Sequence, residues 1–186
     1  MWTYPPDRVL ARVGYVPVEE YAFFVLQTVM TGLWTRLLQA LRPVVPPPAG
    51  VGARVAGTLF FLACTVGGVI AFLAGGHWTY LGLIVAWASP VLALMWGVGG
   101  QLLWARRRLL AWAVLPPTVY LWVADGYAIS QGIWDITDAT RTGSELAGLP
   151  VEEMLFFFVT NLLVAQGLIL LERSEEGKAD PAAALA

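Results

Sequence analysis

Two pairs of adjacent carboxylates occupy the same place in two copies of one short sequence pattern. The first copy reads PVEEYAFF and carries Glu19 and Glu20, and the second reads PVEEMLFF and carries Glu152 and Glu153. Each copy opens a long apolar run. An ionisable residue within a bilayer is costly and is therefore a candidate functional residue. Two such pairs in matching frames predict a duplicated unit whose acids act together.

The chemistry that suits these pairs is proton transfer to a hydrocarbon. A carboxyl group shielded from water is protonated more readily and can act as a general acid. The faces of Phe, Tyr or Trp would stabilise the resulting carbocation, because desolvated aromatic faces attract cations. A second carboxylate could then remove a different proton. An isomerisation of this kind requires neither a redox cofactor nor a metal.

Helical spacing places aromatic rings one turn below the carboxylates and hydrogen-bonding side chains two turns below. Adjacent residues point about 100° apart on a helix, so we expect one Glu of each pair to face the site and the other to cap the helix or tune its neighbour. The residues on these stripes are Phe23, Phe24, Gln27, Thr28, Phe156, Phe157, Thr160 and Asn161. The pattern also fits an ordinary helix start, because Pro is favoured at the first helical position and carboxylates complement the helix dipole.

A third candidate acid, Asp125, lies near the end of another apolar run and is followed by Trp134. Helix counting places it on the same side of the membrane as the Glu pairs, and a hydrated interfacial acid is the alternative. Trp134 stands 16 residues before Pro150, much as Trp2 stands 15 residues before Pro17. On this alignment, the chain is expected to begin near the end of a helix that the first unit does not contain.

The composition is that of an integral membrane protein. Of the 186 residues, 58% are hydrophobic and 13% are charged, against about 25% charged in soluble domains. The mean hydropathy is +0.68, and nine Trp fit the aromatic belts of membrane interfaces. A net charge of -2 offers no basic surface for nucleic acid. One cysteine, Cys64, and one histidine, His77, argue against a disulfide and against a zinc or copper site.

Five segments are apolar and long enough, or nearly so, to span a bilayer, which needs roughly 20 residues. They are 18–41, 55–75, 78–98, 109–129 and 151–171. The fourth contains Pro116 and Pro117, which should kink it or mark a break near its start. The sequence therefore predicts an all-α membrane protein, a bundle of about five transmembrane helices from two parallel repeats.

Loop charges predict the orientation, because cytoplasmic loops carry an excess of Lys and Arg. Arg42 and Arg54 lie in the loop after the first segment, and three consecutive Arg follow the third. The loop after the second segment has no Arg or Lys, and the loop before the fifth is acidic. We therefore expect a multi-pass protein of the cell membrane with its N-terminus outside and its C-terminus in the cytoplasm. Both Glu pairs would then lie on the outer side.

These elements divide the chain into four predicted parts. Residues 1–45 form a first, N-terminally shortened repeat. Residues 46–76 form a proline-rich cytoplasmic linker and a connecting transmembrane helix. Residues 77–172 form the second repeat, and residues 173–186 form a disordered polar tail.

The doubled motif resembles that of the heterodimeric-type lycopene cyclases, a membrane family of bacteria and archaea that also occurs as a fungal domain. The matching pieces are Pro17–Glu20 with Phe23 and Phe24, Gln27 with Thr28, Pro150–Glu153 with Phe156 and Phe157, Thr160 with Asn161, and the segment from Asp125 to Trp134. Family units usually carry helices before each motif, and the first unit here lacks them. A start codon further upstream, a second copy in a homo-oligomer, a partner protein or a reduced scaffold would account for this difference.

The resemblance implies a lycopene beta-cyclase, which closes the ψ-end groups of lycopene to β-ionone rings through a carbocation and gives γ-carotene and then β-carotene. The implied catalytic residues are Glu19, Glu20, Glu152, Glu153 and Asp125. We expect Glu20 and Glu153 to face the site directly. The aromatic and polar residues of the stripes, together with Trp134, would bind lycopene or a related linear carotenoid within the bilayer, with no cofactor.

Two other readings fit the same residues. A carotenoid hydratase would protonate the same double bond and trap the cation with water. A non-catalytic lipid-binding or scaffolding membrane protein would use the Glu pairs only to start helices. A prenyltransferase is disfavoured, because no Asp-rich motif for diphosphate and Mg²⁺ is present.

Overall fold

The structure of the protein, a computed structural model, describes residues 2–5, 9–41 and 50–179. The helices are α1 (Val18–Leu41), α2 (Gly52–Ala74), α3 (Thr79–Ala105), α4 (Arg107–Ser130) and α5 (Val151–Ala179). The two-residue strands are β1 (Trp2–Thr3), β2 (Arg12–Val13), β3 (Val16–Pro17), β4 (Asp135–Ile136), β5 (Glu145–Leu146) and β6 (Leu149–Pro150). The predicted all-α bundle of five helices is confirmed.

Four of the described helices are long and apolar enough to cross a membrane, as expected of an integral membrane protein. These spans are Gly52–Ala74, Gly76–Ala105, Arg107–Ser130 and Val151–Glu172. Helix α1 has 24 residues but is less apolar, so its crossing of the membrane stays a prediction. Its polar side chains include Gln27, Thr31, Thr35 and Gln39, which are all buried.

Helices α1 and α5 run side by side in the same direction. Phe23 contacts Phe157 near the start of both helices, with ring centroids 5.8 Å apart. Near the other end, the Gln39 amide donates to Glu172 at 2.8 Å. Glu172 also forms an ion pair with the buried Arg106, at the junction of α3 and α4. The two PVEE motifs therefore lie at the same end of the bundle.

Helix α2 packs against α3 and contributes nothing to the site described below. Glycines allow the two backbones to approach closely, as is common between membrane helices. A Cβ added at Gly68 would lie 2.6 Å from the backbone nitrogen of Ala86, and one added at Gly82 would lie 2.3 Å from that of Phe72. The lining of the site therefore comes from α1, α4, α5 and the segments before them.

Of the kink or break expected at Pro116 and Pro117, the break is not observed, since α4 runs through both residues. A proline inside a helix leaves the carbonyl four residues earlier without its backbone donor. For Pro116 this is the carbonyl of Trp112, and the indole N–H of Trp34 in α1 donates to it at 2.8 Å. A neighbouring helix thus replaces the missing bond, as membrane proteins commonly require.

The loops α2–α3 and α4–α5 meet at one end of the bundle. The Nδ1 atom of His77 lies 3.1 Å from the carbonyl oxygens of both Asp138 and Arg141. Arg141 in turn pairs with Asp138 and with Glu145. The predicted placement of these two loops on one side of the membrane agrees with this contact, and their assignment to the outer side stays a prediction.

The predicted division of the chain reaches beyond the described residues. The proline-rich part of the linker falls on residues 42–49, which lie outside them. The predicted disordered tail begins within α5, which continues to Ala179, and residues 180–186 lie outside the described part. The four-part division therefore stays a prediction.

Candidate active site

A small hairpin precedes each of the two motif-bearing helices. Strands β2 and β3 pair before α1, and strands β5 and β6 pair before α5. In both hairpins a glycine with positive φ stands in the turn, Gly14 at 64° and Gly148 at 81°, a conformation that favours glycine. The upstream part of the repeat, which the positions of Trp2 and Trp134 indicate in the sequence, therefore includes a hairpin that the dissimilar residues of the two copies concealed.

The first Glu of each motif holds the loop that leads into its hairpin. Glu19 accepts a hydrogen bond from the Leu10 backbone N–H at 2.6 Å. Glu152 accepts one from the Thr142 backbone N–H, also at 2.6 Å. The Glu152 side chain is fully buried, whereas Glu19 is partly exposed and borders the cavity described next. In both repeats this carboxylate joins the helix start to the preceding loop.

Helices α1, α4 and α5, together with Tyr4 and Trp134, line one cavity of about 260 Å³. Glu20 comes from α1, Glu153 from α5 and Asp125 from α4. The other lining residues are Tyr4, Glu19, Phe23, Phe24, Leu121, Ala124, Ala128, Trp134, Phe156 and Phe157. The cavity thus gathers carboxylates from three helices within a largely apolar wall.

The second Glu of each motif accepts a hydrogen bond from a tyrosine. The hydroxyl of Tyr80, in α3, donates to Oε1 of Glu153 at 2.5 Å, and both side chains are buried. The hydroxyl of Tyr4 donates to Oε1 of Glu20 at 3.0 Å. Sequence reasoning missed both tyrosines, because they lie far from the motifs along the chain and share no helix with them.

The segment that carries Tyr4 is joined to the second repeat. Strand β1 pairs antiparallel with β4, with Trp2 opposite Ile136 and Thr3 opposite Asp135. Asp125 and Trp134 both line the cavity described above. These contacts bring the element between Asp125 and Trp134 to the same cavity as both Glu pairs.

Four phenylalanine rings form a closed cluster directly below the carboxylates. Phe23 contacts Phe157 and Phe24 contacts Phe156, with centroids 5.8 and 5.9 Å apart. Within each helix the adjacent rings are also in edge contact, at 5.9 and 5.6 Å. Edge-to-face pairs are a favourable aromatic geometry. The first ring of each helix thus contacts the second ring of the other helix. A two-fold axis between α1 and α5 would give this pattern.

A buried polar cluster lies one turn deeper than the rings. The Gln27 amide donates to Thr160 and Asn161, and the Thr31 hydroxyl donates to Asn161. Asn161 in turn donates to Thr118 of α4 at 3.0 Å. Thr28, predicted to face the site, is exposed instead. Gln27, Thr160 and Asn161 therefore join the helices beneath the cavity and do not line it.

This arrangement is able to move protons at an apolar substrate. Four carboxylates and a tyrosine residue border the cavity, and carboxyl and phenol groups are able to act as general acids or bases. The aromatic faces of Phe23, Phe24, Phe156, Phe157 and Trp134 would stabilise positive charge between them. Of the predicted catalytic residues, Glu152 is the one that does not border the cavity.

Relatives of known activity extend this picture. A lycopene beta-cyclase of Halobacterium salinarum is 45% identical over 170 residues, which cover 91% of this chain and 71% of the relative. A bifunctional lycopene cyclase/phytoene synthase of Gibberella fujikuroi is 35% identical over 94% of this chain and 31% of the relative, and that of Podospora anserina is 38% identical over 93% and 31%. No family model matches the chain, and no solved structure does.

Proposed function

The chain belongs to the lycopene cyclase family, whose members are enzymes, and we propose that it is a lycopene beta-cyclase whose two repeats form one acid–base site. The substrate would be lycopene or a related linear carotenoid in the bilayer. The products would be γ-carotene after one ring closure and β-carotene after two. The observation that carries the proposal is the cavity in which Glu20, Glu153 and Asp125 meet above four phenylalanine rings.

The reaction needs one proton donor and one proton acceptor at different carbons of the end group. A carboxylic acid adds a proton to the terminal double bond, and the next double bond along the chain attacks the cation formed, which closes the ring. A carboxylate then removes a ring proton, so that the product is an isomer of the substrate. The phenylalanine rings stabilise the cation and keep water from trapping it.

The two residues of each Glu pair have different roles in this proposal. Glu20 and Glu153 carry out the proton transfers, because both border the cavity and both are oriented by a tyrosine hydroxyl. Glu19 and Glu152 hold the loops that position the helix starts. Asp125 shares the cavity and is the third acid available for proton exchange.

The enzyme is proposed to act from the end of the bundle that holds both motifs. Following the loop charges, this end would face outward, with the C-terminus in the cytoplasm. The apolar substrate would reach the cavity from the bilayer, in which its polyene chain dissolves.

The test is replacement of each carboxylate in cells that accumulate lycopene. Glu20→Gln and Glu153→Gln should each lower β-carotene formation at least about 100-fold at unchanged protein level, the size expected for general acid–base catalysis. Glu145→Gln, at an exposed position of strand β5, is the matched control and should leave the products unchanged. Normal β-carotene in both site variants would refute a catalytic role, and hydroxylated end groups in the wild type would show a hydratase.

A further inference from the structure

Each ring closure leaves the catalytic acid without its proton and the catalytic base with one too many. The acid has lost a proton to the substrate and the base has gained one, although the overall reaction neither consumes nor releases protons. The enzyme must therefore move one proton from the base back to the acid before the next turnover. A polar group that borders the cavity together with the carboxylates offers a direct path for this step.

The two tyrosines that contact the catalytic carboxylates have different surroundings. Tyr80 is 2% exposed and belongs to the hydrophobic core around α3 and α5, and it does not border the cavity. Tyr4 is half-buried and borders the cavity together with Glu20, Glu153 and Asp125. Tyr80 is therefore placed to fix the Glu153 side chain, whereas Tyr4 is placed to exchange protons across the site.

Electrostatics agree with a central position for Tyr4. Burial and the negative charge of Glu20 raise the pKa of the Tyr4 hydroxyl, and Glu153 and Asp125 add to the effect. All three carboxylates line the same cavity as Tyr4.

The backbone of Tyr4 is held on both sides of the residue. Strand β1 fixes the preceding residues against β4, and the Arg12 guanidinium donates to the Tyr4 carbonyl at 3.3 Å. Arg12 lies in the hairpin that leads into α1, and β4 lies in the second repeat. The hydroxyl is therefore positioned by elements of both repeats, as a group shared by their carboxylates must be.

Resting on the function proposed above, we propose that Tyr4 returns the proton to Glu20 after each ring closure. The carboxylic acid formed at Glu153 or Asp125 gives its proton to the Tyr4 oxygen, while the Tyr4 hydroxyl gives its own proton to the Glu20 carboxylate. One O–H bond breaks and one forms at Tyr4, so the tyrosine is regenerated and no electron is transferred. Glu20 is then the acid that protonates the substrate, and the base lies across the cavity.

The test compares first and repeated turnovers of the full chain in lipid vesicles that contain lycopene. With enzyme in excess, Tyr4→Phe should form γ-carotene within about threefold of the wild-type rate, because Glu20 starts protonated. With lycopene in excess, its steady-state rate should fall at least about tenfold, the lower part of the range for a lost proton-transfer group. Tyr15→Phe, whose ring is 97% exposed in the β2–β3 turn, is the matched control for both assays.

Two results would overturn the relay. If Tyr4→Phe slows the first turnover as much as the steady state, the hydroxyl only positions Glu20. If neither rate changes, Tyr4 has no role in proton return. Membrane yield and melting temperature of Tyr4→Phe must match those of Tyr15→Phe. Failure of the acid–base function itself would be visible separately, as a normal first turnover in Glu20→Gln.

Discussion

The two copies of the motif have the same local structure but different surroundings. In α5, Glu152, Glu153 and Phe157 are at most 3% exposed. In α1, both Glu side chains are partly exposed and Phe24 is 40% exposed. The cause is position, since α5 packs against α1, α3 and α4, whereas α1 packs against α4 and α5 at the edge of the bundle.

Because of this difference, the two motif copies should contribute similarly to the reaction but unequally to the stability of the fold. Both copies provide a carboxylate to the same cavity, so equivalent substitutions should affect ring closure to a similar degree. The α5 copy also fills the core, so substitutions there should destabilise the fold much more than their counterparts in α1. The first three of the following comparisons test that asymmetry, each with a matched pair of variants.

The largest difference is expected for the phenylalanine rings. Phe157→Ala should lower the free energy of unfolding by about 3 kcal/mol, because it empties a buried, well-packed position. Phe24→Ala should lower it by less than about 1 kcal/mol, since part of that ring has no protein neighbour. Denaturant unfolding in detergent measures both, and equal losses would contradict the asymmetry.

The polar residues two turns below the carboxylates should show the next largest difference. Asn161→Leu should lower the free energy of unfolding by about 2 to 3 kcal/mol, because Gln27, Thr31 and Thr118 lose a buried hydrogen-bond partner. Thr28→Val, at the corresponding position of α1, should change stability by less than about 0.5 kcal/mol, as at other exposed positions. Denaturant unfolding measures both variants. A large loss of stability in Thr28→Val would contradict the exposed position of that residue.

The loop-holding carboxylates should differ less. Glu152→Ala should cost about 1 to 2 kcal/mol, because the Thr142 N–H loses its acceptor at a fully buried side chain. Glu19→Ala should cost under about 0.5 kcal/mol, since Leu10 is 91% exposed and water can replace the lost acceptor. Both variants should still close rings, and loss of product in a folded Glu152→Ala protein would assign that residue to the chemistry.

The smallest effect concerns the attachment of α1 to α4. Trp34→Phe should cost about 1 kcal/mol, because the Trp112 carbonyl left free by Pro116 loses its only side-chain donor among the described residues. Trp112→Phe leaves the backbone carbonyl in place and replaces one exposed aromatic ring with another, so it should hardly change the stability. Melting temperatures of the two variants give the comparison, and equal shifts would argue against a role for the hydrogen bond.

The helices and the paired acids could be predicted from sequence because they depend on local composition and period. Apolar runs of suitable length gave the helices, and the repeated PVEE motif with its spacing gave the carboxylates, rings and amides. Helical periodicity alone could not tell which face of α1 packs against α5. Gln27 and Thr28 each lie two turns below a Glu, on neighbouring faces of the helix. Packing selected Gln27 and left Thr28 exposed.

Contacts between distant segments were beyond sequence reasoning. Tyr4 reaches Glu20 from a strand paired with the second repeat, and Tyr80 reaches Glu153 across 73 positions of the chain. The indole of Trp34 replaces a bond that Pro116 removes, and α4 continues through both prolines. No local sequence pattern marks any of these contacts, because each depends on the packing of segments that are distant in the chain.

The most direct test asks whether both halves of the site belong to one chain. Glu20→Gln and Glu153→Gln chains are produced separately and together in lycopene-accumulating cells, and β-carotene is measured at matched protein levels. Because one chain supplies both carboxylates to one cavity, each variant alone should be inactive and the mixture should stay inactive. Recovery of β-carotene in the mixture would contradict the single-chain site and would show that the two carboxylates come from different copies.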